Sequence, residues 1–130
     1  IANSISIEPI ILYLAAIFWT LGYDTIYGYQ DIKDDEIIGV KSTSIKFKNN
    51  TKSFLILCYS IFIISIVAVG IIMEFSNIFF LLLIIPIYHL FFYQIKFLNI
   101  NLPKTCLKLF KSNNLVGLIV YINILAGKFI

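Results

Sequence analysis

An all-α, integral membrane multi-helix bundle with four transmembrane helices is the architecture expected of this 130-residue sequence, on three observations. Its residues are 60% hydrophobic and only 13% charged, whereas roughly a quarter of the residues in a soluble domain carry charge. The apolar residues gather into runs close to the ~20 residues that a helix needs to cross the hydrocarbon core. Those runs also lack the wide polar face that each helix of a soluble bundle turns to water.

The first span is expected at about 7–29, around the apolar run Pro9 to Tyr23. The second, 53–73, has no charge from Ser53 to Met73, and Thr51 or Ser53 is its expected cap. The third, 76–97, is uncharged and broken only by Pro86 and His89, with Ser76 or Asn77 as the expected cap. Pro86 removes a helix hydrogen bond and crowds the carbonyl of Leu82, which predicts a kink there. His89 reads as a structural histidine hydrogen-bonded between helices. The fourth span is 113–129, where Asn113 and Asn114 read as cap residues. Between the third and fourth spans, Leu102, Cys106, Leu109 and Phe110 fall on one side of a short helix over 103–111. Lys104, Lys108 and Lys111 fall on the other, which is the pattern of a helix lying in the membrane interface. Trp19 and the many Phe and Tyr residues read as packing and interface residues.

Lysines fix the expected orientation. Lys33, Lys41, Lys46, Lys48 and Lys52 separate the first two spans, and Lys96, Lys104, Lys108 and Lys111 separate the last two, whereas the intervening turn holds only Glu74. Positive loops stay on the cytoplasmic side, or on the matrix side in a mitochondrial inner membrane. The net charge of +3 is thereby explained by topology, and no nucleic-acid partner is implied. Cys58 lies in a span and Cys106 in a connection, so both are expected reduced and structural. The chain opens on Ile1 with no leader pattern, and a single membrane domain over 1–130 that is part of a longer chain is expected.

One stretch departs from this apolar economy. Residues 23–43, YDTIYGYQDIKDDEIIGVKST, hold Asp24, Asp31, Asp34, Asp35 and Glu36, five of the seven acidic residues, within a loop expected over 24–52. If the first helix continues, Asp24, Tyr27, Asp31 and Asp35 share one stripe at spacings of three, four and four. Stacked carboxylates repel, and near a membrane they need a named cationic partner. Mg²⁺ is the natural one, because it takes oxygen ligands and is typically held by one or two carboxylates together with substrate phosphates. Lys41 is best placed in sequence to meet a diphosphate. Acidic residues interleaved with lysines at a helix end are commonly a solvated cap, and Asp34 and Glu36, off the stripe, keep that reading. No Ser/His/Asp set, Gly-rich phosphate loop or Cys/His metal spacing is present.

The pattern Asp24-x-x-Tyr27-x-x-x-Asp31-x-x-x-Asp35 followed by Ile38-Gly-Val-Lys-Ser-Thr43 resembles the second aspartate-rich motif of the UbiA superfamily of intramembrane prenyltransferases, and is most similar to its 4-hydroxybenzoate-prenylating branch. Phe110-x-x-Asn113-x-x-x-Gly117 resembles the start of that family's last helix. The resemblance implies the C-terminal part of a nine-helix fold, with a first aspartate-rich motif lying outside this chain. It also implies Mg²⁺-dependent transfer of a polyprenyl group from polyprenyl diphosphate to 4-hydroxybenzoate in ubiquinone biosynthesis. On matching positions, Asp31 and Asp35 would be the catalytic metal-binding pair, with Lys41, Tyr27 and Asp24 as diphosphate-binding positions. Another aromatic acceptor, or a transporter fragment using the stripe as a cation gate, are the alternatives.

Overall fold

A computed structural model describes residues 7–29, 39 and 42–130. All regular structure among them is helical: α1 (Ile7–Gly28), α2 (Thr43–Lys46), α3 (Thr51–Ile72), α4 (Asn77–Phe97), α5 (Pro103–Lys111) and α6 (Asn113–Phe129). Four helical runs are long and apolar enough to cross a membrane: α1, α3, α4, and α5 with α6. A 22-residue helix such as α1 or α3 is about 33 Å long, the thickness of the hydrocarbon core. The outer faces confirm the solvent. Tyr13, Ile64, Leu81, Ile84, Tyr88 and Leu118 all point outwards, and such continuous apolar surface is stable in lipid but not in water. The molecule is an integral membrane helical bundle.

Small residues set the closest approaches, as van der Waals packing of membrane helices requires. α1 packs mainly on α3. A methyl group on Gly22 would stand 2.5 Å from the fully buried Tyr59 ring, and Trp19 stacks on Phe62 at 5.6 Å. α4 meets both the other end of α3 and α6: Phe79 fills the space left by Gly70 and Gly127, and Ser76 N–H donates to the Gly127 carbonyl at 3.1 Å. Because Tyr59 has no room to retreat, Gly22→Ala is expected to lower the stability of the complete protein by about 1–3 kcal/mol, the usual cost of overpacking. Thermal unfolding in detergent measures this, and an unchanged midpoint would contradict so tight a crossing.

α4 carries the expected break at Pro86 and an unexpected feature after it. The α-helix is interrupted at Leu83, between Asn77–Leu82 and Ile84–Tyr88, where the Pro86 nitrogen offers no hydrogen to the Leu82 carbonyl. Beyond it, His89–Gln94 form a π-helical segment before α-geometry resumes at Ile95–Phe97. Nothing in an uncharged run announces a π turn.

The capping expectations need correction. α3 starts from Asn50 without a side-chain cap bond, and the Thr51 hydroxyl bonds backwards to the Phe47 carbonyl at 2.9 Å. Ser76 occupies the N-cap of α4, yet its hydroxyl makes no cap bond. α5 is amphipathic, with Cys106 and Leu109 buried and Lys104, Lys108 and Lys111 exposed, although Leu102 is also exposed as the residue before Pro103. It runs into α6 through Ser112, whose backbone stays helical (φ −64°, ψ −16°).

Candidate active site at the acidic end of α1

Of the residues singled out in the acidic stretch, Asp24 and Tyr27 are described, while Asp31, Asp35 and Lys41 lie outside the described residues. Asp24 and Tyr27 sit one turn apart on the outer face of α1, both exposed. Below Asp24 the same face continues through Thr20, Ile17 and Tyr13 as a shallow groove of about 380 Å³. The groove is therefore apolar below and carboxylate-tipped above.

The chain on either side of the acidic segment is anchored by buried hydroxyls. Thr25 and Thr43 share a hydrogen bond of 2.6 Å, and Ser44 Oγ donates to the Thr25 carbonyl at 2.7 Å. Tyr29 and Thr51 pair through their hydroxyls at 2.5 Å. A Cβ on Gly28 would collide with Ser44 Oγ, so glycine lets α1 and α2 touch. Burial pushes the Tyr29 hydroxyl above the ordinary phenol range, with the Thr51 hydrogen bond acting the other way, so Tyr29 stays neutral. The described residues on either side of the acidic segment are thus tied to one another.

Beneath these ties lies a polar knot that sequence reasoning missed. Trp19 Nε1–H donates to Asn113 Oδ1 at 3.0 Å, and Gln94 Nε2 donates to the same oxygen at 3.1 Å. Tyr59 donates to Gln94 Oε1 at 2.7 Å, and Gln94 Nε2 reaches His89 Nδ1 at 3.3 Å. Indole is donor-only, which orients the Asn113 amide; that amide orients Gln94, and Gln94 assigns His89 the neutral tautomer with its proton on Nε2. Each of the four spanning runs contributes: α1 by Trp19, α3 by Tyr59, α4 by Gln94 and His89, α6 by Asn113. The π turn is what makes the last link. Five residues exceed one α-turn of about 3.6 residues but come close to one wider π turn. His89 is therefore bonded within its own helix, not between helices as the sequence suggested, and Asn113 both ties the bundle and, through Nδ2, donates to the Leu109 and Phe110 carbonyls in the last turn of α5.

An aromatic column connects knot and surface. Trp19 meets Tyr23 edge-on at 5.2 Å, while Phe110 touches both Tyr23 at 5.6 Å and Tyr27 at 4.6 Å. The donors here suit a hard cation only at the acidic end: Cys58 and Cys106 are buried, His89 Nδ1 is occupied by Gln94, and Asp24 offers oxygen at the surface. Among the described residues, no three metal-ligating side chains cluster.

Fold and site define a class: a polytopic membrane protein with a carboxylate-bearing helix end above an apolar face. Residues 1–118 match the UbiA prenyltransferase family, and the chain belongs to that family. It is 40% identical over 116 residues to the mitochondrial 4-hydroxybenzoate polyprenyltransferase of Aedes aegypti, covering 89% of this chain and 26% of that protein. The mitochondrial 4-hydroxybenzoate polyprenyltransferase of Bos taurus is 39% identical, again over 89% of this chain, and 31% of it is covered. A 4-hydroxybenzoate octaprenyltransferase of Francisella tularensis subsp. novicida is 37% identical over 123 residues, covering 94% of this chain and 43% of that protein. The chain therefore spans less than half the length of these curated relatives. No solved structure matches it.

Proposed function

We propose that the protein containing this chain transfers a polyprenyl group from polyprenyl diphosphate to the ring of 4-hydroxybenzoate in ubiquinone biosynthesis. The observation that carries this reading is the family match joined to relatives of that name over 89–94% of the chain. It works in a bacterial or mitochondrial inner membrane, with the acidic segment on the cytoplasmic or matrix side and α5 lying in the interface on that side. Asp31 and Asp35 hold Mg²⁺, which when bound supplies positive charge against the diphosphate leaving group. Lys41, Tyr27 and Asp24 bind and orient the diphosphate end, and the apolar face of α1 shelters the start of the prenyl chain from water. The allylic C–O bond breaks with its electron pair leaving on the diphosphate. The allylic cation is then attacked by the ring carbon ortho to the phenol, forming the C–C bond, and that carbon loses its proton to restore aromaticity. Water exclusion matters because the cation would otherwise be hydrolysed.

Membranes containing the complete protein, supplied with 4-hydroxybenzoate, a polyprenyl diphosphate and Mg²⁺, are expected to accumulate the 3-polyprenylated acid, and chelation is expected to stop accumulation. Turnover of a different aromatic acceptor with none of this acid would overturn the proposal.

A further inference from the structure

At the end of the bundle where α4 finishes and α5 begins, an open groove of about 630 Å³ follows the turn between the two helices. Its lining is divided by chemistry. Lys96 and Lys108 flank it, Asn99 and Thr105 add neutral hydrogen-bonding groups, and Phe97 and Leu102 present apolar surface. Phe97 is 60% and Leu102 51% exposed, continuing the lipid-facing surface of α4 into the groove. No carboxylate lines it among the described residues. A second groove of about 430 Å³ shares Leu98 and Asn99 with it and adds Lys48 and Lys52 to its lining.

From this arrangement we infer that the α4–α5 groove is a binding site for an anionic phospholipid, with its phosphate between Lys96 and Lys108 and an acyl chain along Phe97 and Leu102. Charge complementarity selects the anion, since basic pockets between membrane helices attract acidic headgroups. The apolar lining selects a lipid over free phosphate, which would leave Phe97 and Leu102 against water. With no carboxylate in its lining among the described residues, the groove favours a phosphodiester over a prenyl diphosphate, whose higher charge calls for a metal and its ligands.

The test is retention of phosphatidylglycerol against phosphatidylcholine by the complete protein in mixed nanodiscs, read by native mass spectrometry. Each lysine is expected to contribute about fivefold, so Lys96→Gln/Lys108→Gln should reduce selective retention on the order of 25-fold, whereas Lys96→Arg/Lys108→Arg keeps it. Equal retention by the wild type and the double glutamine variant, with both fully helical by circular dichroism, would overturn the inference. So would displacement of the lipid by millimolar inorganic phosphate or by metal-free prenyl diphosphate. The readout is binding, so it stands apart from the prenyl-transfer proposal.

Discussion

Alanine at Asp31 or Asp35 in the complete protein is expected to cut Mg²⁺-dependent prenyl transfer by roughly 10²–10³-fold, the cost of removing one group that stabilises charge developing on leaving oxygens. The protein should still insert, because neither side chain belongs to the apolar spans. Asp34→Ala, off the stripe, is expected to change turnover only slightly. The measurement is product formation over a Mg²⁺ titration, with insertion followed separately by membrane fractionation. If both aspartates carry the metal, the Asp31→Ala/Asp35→Ala double variant should lose little beyond the worse single one, since groups that act as a unit are not additive. Unchanged prenylation in both single variants would refute the metal role and leave the acidic segment with its solvated reading.

The second large effect concerns the knot. Asn113→Leu is isosteric but leaves the Trp19 indole N–H without its acceptor and Gln94 Nε2 without one of two. Unpartnered buried donors cost about 1–3 kcal/mol each in soluble proteins. Interhelical hydrogen bonds in membranes average nearer 0.6 kcal/mol, because the unfolded chain also finds partners. A loss of about 2 kcal/mol follows, measured as reversible unfolding in mixed micelles, whereas Asn114→Ala, at an exposed neighbour, should be near neutral. A double-mutant cycle with Trp19→Phe isolates the indole–amide bond: the two changes together should cost clearly less than their sum. Strict additivity would mean that the bond contributes nothing.

Which parts of the molecule were readable from sequence follows from the range of the forces involved. Spans are announced by what they lack. Ser53 to Met73 has no charge, and no packing detail alters what that means in a bilayer. Pro86 acts on its own helix, so its effect on Leu82 is local as well. The knot is different in kind. Gln94 and Tyr59 are unremarked in their own runs, and Trp19 and Asn113 read there as an interface residue and a cap; the meaning of all four lies in partners as far as 94 residues apart. Thr25, Thr43, Ser44 and Thr51 resemble cap residues by type, and only the approach of α1 to α2 and α3 turns their hydroxyls into cross-braces. Of the acidic stripe, the described residues include only Asp24 and Tyr27. Asp24 and Tyr27 do lie one turn apart on one face, while Asp31, Asp35 and Lys41 fall outside the described residues.

The knot also has a consequence for how the protein is made. Synthesis runs from the N-terminus, so α1 enters the bilayer carrying Trp19, then α3 carrying Tyr59, then α4 carrying Gln94. Tyr59 and Gln94 can pair as soon as α4 arrives, but the indole of Trp19 waits for Asn113, whose helix is the last of the described runs to be delivered. Until then the Trp19 indole N–H lacks the acceptor that α6 supplies, although α1 already packs on α3. Arrival of α6 is thus what completes the knot, after the other three described runs that it ties are in place.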